Sequence, residues 1–122
     1  MKSSQRKTML SAWRSGDVEK TKRLLDIPDE ELDPRLLVLK GKCLQIAKEP
    51  VALDGVKKCF LKALSMDSSY VPALLELGWF LRNVEDDPKG ALRYFQKAYR
   101  LTSQFLRESI SGVALSQDEL SP

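Results

Sequence analysis

The sequence predicts an all-α fold of stacked helix pairs, and three observations carry that prediction. Apolar residues recur at three- and four-residue spacing along nearly the whole chain, the period of helices with a buried face. No segment alternates apolar and polar residues for long enough to make a strand. Two stretches also repeat one another at a fixed offset, as expected of an array in which each unit buries its neighbour. The 122 residues make one domain, 1–122. With 43% hydrophobic and 30% charged residues, the balance is that of a globular chain and not of a disordered one.

The first helix runs from about residue 4 to 15 and carries Met9, Leu10, Ala12 and Trp13. Gly16 suits its C-terminal cap, and Asp17 suits the N-cap of the next helix. That second helix, about 18–26, places Val18, Thr21, Leu24 and Leu25 on one side. Pro28 stops it, and the acidic run Asp29–Asp33 connects to Pro34, where a missing N–H costs a helix start nothing. The third helix is apolar around most of its circumference: Leu36 to Leu39, Cys43-Leu44, Ile46-Ala47. Such a helix packs on more than one side.

Pro50 opens the fourth helix, which bears Val56, Cys59, Phe60, Ala63, Leu64 and Met66, and Asp67-Ser68-Ser69 breaks the chain again. The fifth (about 71–83) and sixth (about 88–101) helices are separated by Val84-Glu85-Asp86-Asp87. A seventh, about 103–115, keeps Phe105, Leu106, Ile110, Val113 and Ala114 and would cap the array; residues 116–122 would fray.

Composition bears on chemistry. The chain has no histidine, which removes His-ligated zinc, the Ser-His-Asp relay and the usual general base near neutral pH. Two cysteines cannot build a four-thiolate zinc site or a disulfide scaffold. Cys43 and Cys59 read as small buried thiols on helix faces, with a redox pair as the alternative. The acidic runs 29–31 and 85–87 lack the alternating spacing and glycine of a calcium loop, and no Gly-Lys-Ser/Thr phosphate loop occurs. A non-catalytic protein without cofactor or metal is expected. No apolar run approaches the ~20 residues of a membrane span. Residues 1–7 are basic but lead into no apolar block, so a cytoplasmic location is expected.

Sliding the sixth helix back by 35 residues lays Gly90 on Gly55, Ala91 on Val56, Phe95 on Phe60, Lys97 on Lys62, Ala98 on Ala63 and Leu101 on Met66. Sliding the fifth back by 37 lays Leu74 on Leu37, Gly78 on Gly41 and Leu81 on Leu44. A mid-helix glycine costs about 0.5–1 kcal/mol relative to alanine, so Gly41 and Gly78 imply close helix approach. Ala63 and Ala98 are small for the same reason, and Phe60 and Phe95 would fill the gap between units.

These residues resemble tetratricopeptide repeats. The unit at about 71–101 fits best, through Leu74, Leu77, Gly78, Leu81, Ala91, Phe95 and Ala98. The unit at about 34–66 matches at Leu37, Gly41, Leu44, Phe60 and Ala63 but has Lys40 where an apolar residue is usual. The first, about 4–27, is degenerate, with Met9 where a small residue belongs, and its wording equally resembles an ankyrin helix pair. The resemblance implies a right-handed α-α superhelix of antiparallel helix pairs. It also implies a scaffold that binds a peptide or helix of a partner in a groove lined by the first helix of each pair.

Angular arithmetic at 100° per residue places Leu75, Trp79 and Arg82 on a face that the repeat's own core does not use. Matching positions are Val38, Lys42 and Gln45 on the third helix, and Arg6, Leu10, Trp13 and Arg14 on the first. Tryptophan and arginine are common binding anchors, so an acidic segment with apolar anchors is the expected partner. Trp13 reads equally as core, and Trp79 could instead be covered by the last helix or by a second copy in a homodimer. The family's places for gripping a chaperone's C-terminal carboxylate hold Arg6, Leu10, Leu39, Pro72 and Glu76, of which only Arg6 is compatible. The net charge of +3 is the remainder of alternating blocks, basic over 1–23 and 35–62 and acidic over 24–34 and 63–91. That layout weakens the alternative of a nucleic-acid-associated helical repeat.

Overall fold

Residues 2–46 and 52–120 are described by a computed structural model. Ala47 and Pro50, expected at the end of the third helix and the start of the fourth, lie outside the described residues. Among the described residues there are six α-helices and no strand: α1 (Ser3–Arg14), α2 (Val18–Leu24), α3 (Pro34–Ile46), α4 (Ala52–Met66), α5 (Val71–Asn83) and α6 (Pro88–Leu120). A single 3-10 turn, Asp29–Glu31, lies between α2 and α3.

Local chemistry sets the boundaries. Gly16 adopts φ 81°, its N–H reaches the Trp13 carbonyl, and the Asp17 N–H reaches that of Ala12. This glycine-closed helix end passes directly into α2, where Asp17 Oδ1 accepts from the Lys20 N–H at 3.0 Å. Pro34 is the first residue of α3 as expected, with Asp33 as its cap: Oδ1 accepts from the Leu36 N–H at 2.9 Å. The acidic connector before α6 is spent on structure. Glu85 holds Lys57 at 2.8 Å, Asp86 takes the left-handed conformation at φ 50°, and Asp87 Oδ1 accepts from the Gly90 N–H.

Each helix packs on the next, α3 on α4 and α5 on α6 most extensively, and α3 also touches α5. Gly41 and Gly78 explain the close approach. A Cβ on Gly41 would stand 2.5 Å from the Phe60 ring, and one on Gly78 would stand 2.7 Å from the Phe95 ring. The same ring-over-glycine contact therefore recurs in α3–α4 and α5–α6. Phe60 and Phe95 thus seat on the glycine of their own pair. Lys40, the residue that broke the apolar pattern, reaches out of the core. Its Nζ donates to the Ile27 carbonyl at 3.2 Å and to Asp29 Oδ1 at 2.8 Å, tying the connector to α3.

One element differs from expectation. The separate capping helix at 103–115 does not exist, because α6 continues through that stretch to Leu120. Nothing at 101–104 obliges a helix to stop, since neither glycine nor proline occurs there. Thr102 is accommodated by turning its hydroxyl back to the Ala98 carbonyl at 2.9 Å and the Tyr99 carbonyl at 3.1 Å.

Candidate functional site

On α5, Leu75, Trp79 and Arg82 follow one another at four- and three-residue spacing and so share a face. All three are exposed, Leu75 at 40% and Trp79 at 50%. The indole is held on two sides. Phe95 of α6 meets it edge-on, with ring centroids 5.0 Å apart and planes at 67°. The Arg82 guanidinium carbon stands 5.8 Å from the Trp79 ring centroid, within range of a cation–π contact. A large apolar ring is thus oriented and left half in solvent, beside a cation and an aliphatic neighbour. That arrangement can receive an apolar anchor next to a carboxylate.

The corresponding positions on α3 behave differently. Val38 is only 5% exposed and belongs to the core, so it lines no binding face. The reason is that α3 touches α2, α4 and α5, and Leu36, Leu37, Val38 and Leu39 are all buried in succession. Lys42 remains at the surface, but its Nζ pairs with Glu76 Oε1 at 3.2 Å and links α3 to α5. Gln45 is half-buried.

On α1, Leu10 is also core, at 6% exposed, and does not line a face. Trp13 is half-buried and packs against the same cluster. Arg6 is bound by its Nε to Asp33 Oδ2 at 2.8 Å. Burial opposes ionisation of Asp33, but the Arg6 side chain and the N–H groups of Leu36 and Arg35 outweigh it and hold the carboxyl below its ordinary value. The structure therefore brings Leu75, Trp79 and Arg82 together as one exposed patch. It engages Arg6 and Lys42 in ion pairs and withdraws Val38 and Leu10.

Three features escaped sequence reasoning. Glu76 and Asp33, the partners of the two cations, carry no local signal, because pairing between helices depends on how the helices dock. Phe95, expected to fill the gap between units, also braces Trp79. The third is a line of exposed apolar residues along α6: Leu92, Tyr99, Leu106, Ile110 and Val113, each more than half exposed. Its spacing of seven, four and three residues was visible in the sequence but was divided by the break expected near Thr102.

The cysteines do not form a reactive pair. Both are free and buried. Burial pushes the Cys59 thiol up to about 11, reinforced by Asp29, and raises Cys43 likewise. Among the described residues no group of three acidic or thiol side chains could hold a metal ion, and no helix is long and apolar enough to cross a membrane. No protein-family model, no curated protein and no solved structure matches the chain.

Proposed function

We propose that this chain is a tetratricopeptide-type solenoid of helix pairs, serving in the cytoplasm as a non-catalytic scaffold that binds a segment of a partner protein. The observation that carries the reading is the braced, half-exposed Trp79 with Leu75 and Arg82 beside it on α5. Exposing a tryptophan forgoes its burial, and holding it rigid lowers the ordering cost of a later contact. A partner with an aliphatic or aromatic anchor next to a carboxylate complements the patch. The glycine–phenylalanine contact repeated in α3–α4 and α5–α6 supports the repeat architecture.

The test is capture of partners from native lysate on the purified chain, repeated with Trp79→Ala and with Arg82→Ala. Loss of a specific band by roughly tenfold or more with Trp79→Ala, and a smaller loss with Arg82→Ala, is expected for an anchor and its flanking cation. Retention of every partner by both variants would sink the proposal. Four cations outside α6 (Arg6, Lys40, Lys42 and Lys57) are engaged in ion pairs, which supports a protein partner over nucleic acid. Binding to labelled RNA or DNA that falls steeply with salt would reverse that preference.

A further inference from the structure

We propose that the exposed apolar stripe of α6 is a self-association surface, on which a second copy of the chain docks its own α6 in antiparallel orientation. This inference does not rest on the scaffold reading above. Two observations point to a second copy as the occupant.

The first is the symmetry of the stripe. Leu92 and Val113 lie ten residues on either side of the Thr102–Ser103 pair, Phe95 and Ile110 lie seven, and Tyr99 and Leu106 lie three. On an α-helix all six fall within a sector of about 60°. An antiparallel copy related by a two-fold axis through Thr102–Ser103 would place Leu92 against Val113, Phe95 against Ile110 and Tyr99 against Leu106, twice each. A two-fold interface requires that kind of self-complementary patch. The residues at the axis are small, and the Thr102 hydroxyl is already satisfied within its own helix, so close contact there does not strand it.

The second is area. Leu92, Tyr99, Leu106, Ile110 and Val113 are each more than half exposed. With Phe95 they offer on the order of 600 Å² of largely apolar surface per copy, close to the ~800 Å² per partner of a standard stable interface. The half of α6 beyond Thr102 would then lie across the other copy's α5–α6 pair, which supplies the remainder.

The experiment is the solution mass of the purified full chain, by sedimentation or light scattering, across a range of concentrations. The unmodified chain should weigh twice 13.8 kDa, and Leu106→Glu combined with Ile110→Glu should weigh 13.8 kDa with its helical circular dichroism retained. Tyr99→Lys should weaken the dimer about tenfold, because Tyr99 faces Leu106 of the other copy at two symmetric sites. Adding Leu106→Glu to that chain sets opposite charges face to face and should restore it. Both positions are more than half exposed, so this pair decides the matter even if the double-Glu variant loses helicity. A monomer at about 100 μM chain, where mass action favours association, overturns the proposal. So does a dimer that survives the double-Glu substitution intact, or a second substitution that fails to restore affinity, since a parallel pair would not bring Tyr99 and Leu106 together. No partner protein enters these measurements, so their failure leaves the Trp79 result to stand or fall separately.

Discussion

A glycine inside a helix is a liability unless its missing side chain is used, and Gly41 and Gly78 both use it. Each admits a phenylalanine ring where a methyl group would clash. The two sites differ in how far the ring can yield. Phe60 is fully buried, whereas Phe95 is half-buried and borders solvent beside Trp79. Gly41→Ala should therefore destabilise the fold by about 2 kcal/mol, overpacking outweighing the gain in helix propensity. Gly78→Ala should cost less than about 1 kcal/mol, because Phe95 can swing outward. Urea denaturation of the two variants checks the order, and equal losses would contradict this account. Both glycines were recognisable in the sequence as points of close approach. Which ring each would meet was not, since that depends on the docking of the paired helix.

At the scale of the element, α3 begins on a residue with two tasks. Asp33 caps the helix through Oδ1 and holds Arg6 through Oδ2, and these contacts keep its carboxyl below the ordinary value of 3.8. The folded state thus favours the carboxylate more than the unfolded chain does. The resulting stability is fully present above the unfolded value and is lost as pH falls through the lower folded one. Asparagine caps as well as aspartate does but carries no charge. Asp33→Asn should cost about 0.5–1 kcal/mol at pH 7, the range for a half-exposed ion pair. It should also flatten the fall in stability below about pH 4. Denaturant midpoints at pH 7 and pH 3 test both statements; an unchanged slope below pH 4 would remove Asp33 from the account. The helix start could be read from Pro34. The bond to Arg6, 27 residues away, could not.

Across the whole molecule, α3 decides how much binding surface exists. Its contacts with α2, α4 and α5 enclose a core that runs from Met9 and Leu10 through Val38 to Phe80. Cys59 of α4 is buried as well, at 2% exposed, with its thiol raised to about 11. A thiol that ionises less readily in the folded state withdraws stability as pH rises from about 9 towards 11. The native chain should react with a thiol reagent at pH 8 only as fast as it opens globally, and both cysteines should label together on unfolding. Mass spectrometry of a timed labelling reaction checks this. Rapid modification of Cys59 alone would show that the core admits solvent.

Helix positions, caps and repeated glycines were legible because they follow from short-range rules: period, turn geometry and the conformational freedom of glycine at Gly16. The binding face was only partly legible. Leu75, Trp79 and Arg82 lie at the surface where helical geometry placed them, but the same geometry assigned Val38 and Leu10 to a face that the neighbouring helices cover. A helix's angular pattern states which residues share a side and says nothing of how many neighbours will pack there. For the same reason α6 looked divisible at Thr102 and proved continuous: local polarity marks a weak point, and a helix stops only where its hydrogen bonds find another partner. The amino-acid order therefore determined the helices and their repeat. Tertiary packing alone decided which of their sides were left open, because burial is settled by distant neighbours and not by adjacent residues.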